Sequence, residues 1–255
     1  MSVSKRTASV KLISLNIEKS KHLDIVVPFL ETQMPDVFCV QEIYESSVAI
    51  ISAALGGAEH IFIPMTGRPR ENPPEIQGVG IFSRLPIRKR EVKYYVGTSN
   101  PVPDSMQNDP TTYNLNNRMV IICDIEKYGK IFRIATTHFT WTPDGNPSEA
   151  QRTDMRTLLD ILHEVGEFVL AGDFNAPRGG EIFAKLTSRY KDNVPARYET
   201  SLDISLHRAG KTRPQELADK MVDGILSTPA YRVSNVEMIS GVSDHCALVA
   251  EISCN

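Results

Sequence analysis

Short apolar runs recur through this chain, and most of them stop at a carboxylate, an amide or an imidazole. SVKLISLN closes on Asn16, DVFCVQE on Gln41 and Glu42, IFRIATTHF reaches His138, and EFVLAGD ends at Asp173 with Asn175 just beyond. Near the C-terminus the order is inverted: MVDGILS sets Asp223 at a run's start, and GVSDHCALVAEIS sets Asp244 and His245 immediately before the last run. Runs of this length, rich in Val and Ile, read as β-strands. Asp and Asn are disfavoured inside strands. A single polar ending is an ordinary turn or cap, but turn chemistry does not account for the same ending recurring. The residues involved are oxygen donors and two histidines, which suit a hard divalent cation and acid–base chemistry. They equally suit a phosphate, whose oxygens take hydrogen bonds from amides and a protonated imidazole. No G-x-S-x-G elbow is present, so a serine hydrolase is disfavoured.

Between the strands, SEAQRTDMRTLLDILHEV is the clearest helix, with Ser148 as N-cap and Met155, Leu158, Leu159 and Leu162 on one face. SSVAIISAAL reads as a helix with serine caps. HLDIVVPFLETQ has helical spacing, but Pro28 is expected to kink it. EKYGK joins two strands as a hairpin turn. MTGRPRENPPEIQ and VGTSNPVPDSMQNDPTTYNLNN read as long surface loops. Many strands, few helices and a strand-rich final third favour two packed sheets with outer helices over a doubly wound parallel sheet. No linker or repeat divides the 255 residues, so one domain over 1–255 is expected.

No apolar run approaches the ~20 residues that span a bilayer, and MSVSKRTASV lacks the apolar stretch of a signal peptide. The four cysteines are scattered and form no CxxC pair. A cytoplasmic, monomeric protein is expected. The net charge of −3 gives no broad nucleic-acid footprint, and RLPIRKR reads as a solvated strand edge.

The motifs also fall in a familiar order: SLN at 14–16, QE at 41–42, GVGIFSRLPI at 78–87, TTH at 136–138, GDFN at 172–175, VDGIL at 222–226 and SDH at 243–245. Over nearly its whole length the chain resembles the endonuclease/exonuclease/phosphatase superfamily, the DNase I-like group. The resemblance implies a four-layered α/β sandwich of two packed mixed sheets flanked by helices. It implies hydrolysis of a phosphoester by in-line attack of water, with Mg²⁺ or Mn²⁺. Glu42 would then be the main metal ligand, with Asn16 and Asp244 completing the metal or phosphate shell. Asp173 would be the general base and Asn175 would orient the water. His245 would donate to the phosphate or the leaving group, with Asp223 fixing its tautomer, and His138 would donate to a non-bridging oxygen. Asn117, Arg118, Trp141 and Arg152 are candidates for substrate contact. Glu18 falls outside this core set, and His22, His60, His163 and His207 match no motif.

The loops choose among phosphoesters. LNIEKS and QEIYES depart from the pattern of abasic-site nucleases, and MVDGIL departs from that of inositol phosphatases. TTHFTWTPDG and the helix after it are similar to tyrosyl-DNA phosphodiesterases and sphingomyelinases. A phosphodiesterase acting on nucleic-acid ends, DNA among them, is the expectation. A phosphatase, a sphingomyelinase-type enzyme or a catalytically silent binding module are the alternatives. Arg68, Arg70, Lys211 and Arg213 are expected at the cleft rim to meet phosphates. Trp141 and Tyr113 are expected to stack on a base.

Overall fold

The computed structural model describes residues 8–106, 112 and 115–255; Tyr113 lies outside them. Twelve strands form two six-stranded sheets among the described residues. The first runs β11 (Tyr231–Ile239), β12 (Ala247–Cys254), β1 (Ser9–Asn16), β2 (Val37–Tyr44), β4 (Glu75–Ser83), β3 (Glu59–Arg68). The second runs β5 (Ile87–Val96), β6 (Arg118–Lys127), β7 (Lys130–His138), β8 (Val169–Asp173), β10 (Asp223–Ser227), β9 (Lys191–Asp192). Each sheet holds one parallel pair at its centre, β1 with β2 and β7 with β8, and every other pairing is antiparallel. Each parallel pair is bridged by a crossover helix: α1 (Leu23–Gln33) in the first sheet and α3 (Glu149–Val165) in the second.

Strand alternation sorts the side chains into layers. In β1, Val10 and Leu12 join the apolar cluster between the sheets, whereas Ile13 and Leu15 pack outward against Val26 and Leu30 of α1. In β8, Val169 and Ala171 face inward and Leu170 faces Leu158 and Leu162 of α3. The short helices α2 (Val48–Ala54) and α4 (Glu181–Thr187) complete the two outer layers through Ile51 and through Ile182 and Phe183. The result is the four-layered α/β sandwich that the motif order implies.

Several local expectations change. Helix α1 runs through Pro28; burial of Val26 and Leu30 on the first sheet offsets the lost backbone hydrogen bond, a cost of ~3 kcal/mol. Ser47 precedes α2 but makes no capping bond, whereas Ser148 does cap α3 by accepting from the Gln151 N–H. Met65–Arg68 and Glu75–Gln77, expected as loop, belong to the β3–β4 hairpin. Pro64, which masked the strand in the sequence, lies at a register shift where the ladder is already interrupted. Helix α4 and the two-residue β9 gave no periodic signal. The Lys127–Lys130 hairpin turns through Tyr128 and Gly129, both at positive φ (52° and 74°), as a two-residue reversal requires.

Candidate active site

Topology brings the polar strand ends together. Parallel strands contribute their C-terminal ends: Asn16, Gln41 and Glu42 from the first sheet, His138 and Asp173 from the second. Antiparallel neighbours contribute their beginnings to the same edge: Asp223 opens β10, and Asp244 and His245 precede β12. Register sharpens this convergence. Asp173 is paired with His138 on one side and with Asp223 on the other, so three candidate groups share one rung. Asn16 and Gln41 share the facing rung of the other sheet. Two hydrogen bonds cross between the sheets here, Gln41 Nε2 to Thr136 Oγ1 (3.0 Å) and Asn16 Nδ2 to Asp173 Oδ2 (3.0 Å).

Glu42 reaches the edge through a β-bulge. The pairing of β2 with β4 shifts between Gln41 and Ile43, leaving Glu42 as the extra residue at φ 57°. Gln41 faces the inter-sheet space and Ile43 packs in the outer layer with Phe38 and Val40. The bulge therefore inserts a second consecutive polar side chain at the cleft without disturbing the apolar alternation on either side. A non-glycine residue in this conformation stores roughly 1–3 kcal/mol of strain. Asn175, two residues beyond the end of β8, is also left-handed, at φ 48°.

Asp173 is the centre of the arrangement. It is buried, and its Oδ1 accepts the Asn175 N–H (2.8 Å). Its Oδ2 lies 3.4 Å from His138 Nε2 and 4.0 Å from His245 Nε2. Burial raises its carboxyl, Asp223 adds to the rise, and His245, Asn175 and Asn16 oppose it, leaving it at about 7. The histidines are driven apart. Burial favours a neutral His245, but Asp223, which meets its Nδ1 at 2.7 Å, and then Asp173 and Asp244 outweigh burial and hold it well above 6.5. His138 is held well below 6.5 by burial, Arg118 and His245. One imidazole is thus poised as a charged donor and the other as a neutral ring.

Two further carboxylates, Glu42 and Asp244, line the space beside this pair and offer oxygen donors of the kind a divalent cation takes. Among the described residues the Glu42 carboxylate accepts no hydrogen bond, and its Oε1 has His138 Nε2 at 3.8 Å. Burial lifts the Asp244 carboxyl to about 6, opposed by His245, with Glu18 and Glu42 adding to the rise. Asp244 Oδ1 accepts from Ser243 Oγ (3.3 Å), and acids crowded this way match the ligand chemistry of a hard cation. Asp173, Asp223 and His245 also offer atoms within 4.8 Å of one another. Within that trio Asp223 Oδ2 is already engaged by His245 Nδ1 (2.7 Å). Asn16 is partly committed: its Oδ1 accepts the Glu18 N–H (3.1 Å) while its amide nitrogen donates to Asp173.

The site opens into a cleft with two arms. The larger, about 670 Å³, is lined by Asn16, Asp173, Asp244 and His245 and walled by residues 202–222. The smaller, about 170 Å³, is lined by His138, Arg118, Arg68 and Asn116. Lys19, Glu42, Trp141, Asn175 and Arg208 line both.

Not every candidate arrives here. Asn117 is turned away, its amide bonded to both backbone groups of Thr98. Arg152 is held on the helix face by Glu181 and Glu149 and lines neither arm. Arg118 lines the smaller arm but donates to the His138 carbonyl (3.0 Å) from a buried position. Of the rim cations, Arg68 and Arg213 line the cleft; Arg70 and Lys211 do not. Glu18 and His207, set aside in the sequence, line the larger arm, and Lys19 and Arg208, which lie in loops with no periodic or motif signal, were missed. Glu18, two residues beyond a strand end, was the one within reach.

The profile of the Endonuclease/Exonuclease/phosphatase family matches residues 13–245. No curated protein sequence matches the chain. Among solved structures, it is similar to an endonuclease/exonuclease/phosphatase from Bacteroides vulgatus, with 19% identity, TM-score 0.72 and coverage of 97% of this chain and 100% of that one. A mannosyl-6-phosphatase from Bacteroides thetaiotaomicron shares 13% identity, with TM-score 0.68 and coverage of 95% and 99%. The human nocturnin catalytic domain, bound to a sulfate anion, shares 16% identity, with TM-score 0.67 and coverage of 97% and 94%. The folds agree throughout, and the family match spans most of the sequence: the chain belongs to the endonuclease/exonuclease/phosphatase family and is a phosphoester hydrolase.

Proposed function

We propose that this hydrolase is a divalent-metal-dependent phosphodiesterase acting on nucleic-acid ends, DNA among them. The two-armed cleft carries the reading. A diester has a substituent on each side of its phosphorus, and the arms meet at Glu42 and Asn175. A monoester would use only one arm. Trp141, which lines both, offers a stacking face to a base or an aromatic leaving group.

Glu42 and Asp244, with the remaining lone pair of Asn16 Oδ1, would hold Mg²⁺ or Mn²⁺. Once bound, the metal would neutralise charge developing on the phosphoryl oxygens. Asp173, poised near neutrality, accepts a proton from the attacking water as the new P–O bond forms. Asn175 fixes that carboxylate through its backbone N–H. His245 hands its proton to the departing oxygen as the old P–O bond breaks, and Asp223 keeps it charged until then. His138 donates to a non-bridging oxygen.

A substrate panel tests this proposal: bis-p-nitrophenyl phosphate, single-stranded, nicked and abasic DNA, a 5′-tyrosyl end, sphingomyelin, sugar phosphates and inositol phosphates, each with and without EDTA. Chelator-sensitive turnover of the diesters, greatest on a DNA end, is expected. Preference for a sugar or inositol monoester would replace the reading with a phosphatase, and preference for sphingomyelin with a lipid phosphodiesterase. Turnover of none would favour a silent binding module.

A further inference from the structure

Five lysine and arginine side chains line the larger arm, and they are not equivalent. Lys21 pairs with Glu18 (3.1 Å), Arg213 with Glu216 (3.0 Å) and Lys220 with Asp219 (3.6 Å). Lys19 and Arg208 pair with no carboxylate among the described residues, and these two line both arms of the cleft.

Both stand on loops built to hold them. Lys19 is the middle of three consecutive residues in the left-handed region, Glu18 (φ 42°), Lys19 (φ 59°) and Ser20 (φ 60°). Such a run is unfavourable for L-residues and persists only when its surroundings over-determine it. Here Asn16 Oδ1 takes the Glu18 N–H, the Lys21 N–H returns to the Glu18 carbonyl (3.1 Å), and Ser20 Oγ takes the Tyr44 N–H (2.9 Å). The Glu18 carboxylate is gripped from the far side by His22 (2.9 Å).

Arg208 belongs to a turn organised by Asp203. The Asp203 carbonyl accepts the His207 N–H (2.7 Å) and its carboxylate accepts from Ser205, Leu206 and Gly241. Gly210 closes the turn against the Ile204 carbonyl, where a Cβ would lie 1.7 Å away. The Asp203 N–H in turn donates to the carbonyl of Asp244 (2.8 Å). Each unpaired cation is therefore tied through its loop to a group of the reacting centre, Lys19 to Asn16 and Arg208 to Asp244.

We infer that Lys19 and Arg208 form a clamp for a second, non-reacting phosphate, so that the preferred substrate is a phosphoester carrying another phosphate near the scissile one. This rests on the phosphoester-hydrolase reading of the site. A lysine point charge and an arginine fork are a matched pair of phosphate donors. The carboxylate that lines both arms with them, Glu42, is the one a metal would claim, which leaves Lys19 and Arg208 for phosphate oxygens.

The test compares thymidine 3′,5′-bisphosphate with thymidine 5′-monophosphate as competitive inhibitors of bis-p-nitrophenyl phosphate hydrolysis, in the full chain with saturating Mg²⁺. The wild-type protein should bind the bisphosphate at least tenfold more tightly. Lys19→Ala and Arg208→Ala should each reduce that ratio about tenfold, and Lys19→Arg and Arg208→Lys should restore part of it. The ratio is internal to each variant, so a general loss of folded protein does not move it. Equal weakening of both inhibitors would mean a diffuse electrostatic field and would overturn the clamp, as would an unchanged ratio. A wild-type protein that hydrolyses no phosphoester would instead remove the underlying reading.

Discussion

At the scale of single residues, two identical side chains are given opposite jobs by their neighbours. His245 meets Asp223 at 2.7 Å and is held charged, and His138 is held neutral by its own burial and then by Arg118. If His245 is the acid, its protonated form is the active one, so kcat falls as pH rises through its pKa. Asp223→Asn removes the largest force raising that pKa. The fall should move to lower pH, which a pH–rate profile reads directly. His245→Ala should lower kcat by about 10²–10⁴-fold; a loss under tenfold would reassign it to positioning. Asp203, in the loop behind Asp244, offers a stability counterpart. Burial would raise its carboxyl, but hydrogen bonds from Ser205, Gly241 and Leu206 prevail and lower it. Its folded pKa is below the unfolded one, so its contribution is present above the usual carboxylate range and disappears as pH falls through the folded value. The stability gap between wild type and Asp203→Ala, measured by thermal melts, should therefore be widest near neutrality and narrow in acid.

At the scale of elements, the bulge in β2 and the close approach of β7 to β8 are the features most exposed to substitution. Glu42→Gly should relieve roughly 1–3 kcal/mol of left-handed strain against roughly 0.5–1 kcal/mol of added backbone entropy, raising Tm by roughly 2 °C, while abolishing metal-dependent turnover. A fall in Tm would mean that the strain at Glu42 is smaller than the entropy cost of glycine. A Cβ at Gly172 would lie 2.2 Å from the Thr137 carbonyl oxygen. Gly172→Ala must part the two central strands, at a cost of about 2–3 kcal/mol and about 4–8 °C in Tm, and should disturb the His138–Asp173 rung with them. Elements of this kind were unevenly legible in the sequence. Strands with uninterrupted Val and Ile runs and the Ser148-capped helix could be read directly. Strand β3 was hidden by Pro64, whose effect depends on a bulge formed only with β4. Helix α1 was obscured by Pro28, which tertiary burial overrides. The bulge at Glu42 has no local signature at all, because it is a property of pairing with β4.

At the scale of the whole molecule, two sheets with the same plan, a parallel pair flanked by antiparallel strands, are packed with their polar edges in register. The sequence showed which side chains end strands, and the motif order brought them into one set. It did not show that Asn117 would be spent on Thr98 or Arg152 on Glu181, since those partners are fixed by loop paths and helix packing. Nor did it show Lys19 or Arg208, whose positions depend on a strained turn and on the hub at Asp203. The central claim is that one reacting centre is assembled from both sheets. Its most direct measurement is metal-dependent hydrolysis of bis-p-nitrophenyl phosphate by two near-isosteric variants, Glu42→Gln from the first sheet and Asp173→Asn from the second, each checked for a native circular dichroism spectrum. Both should lose at least about 10²-fold in kcat/KM, with excess Mn²⁺ restoring part of the activity of the first and none of the second. Near-wild-type turnover by either folded variant would contradict it.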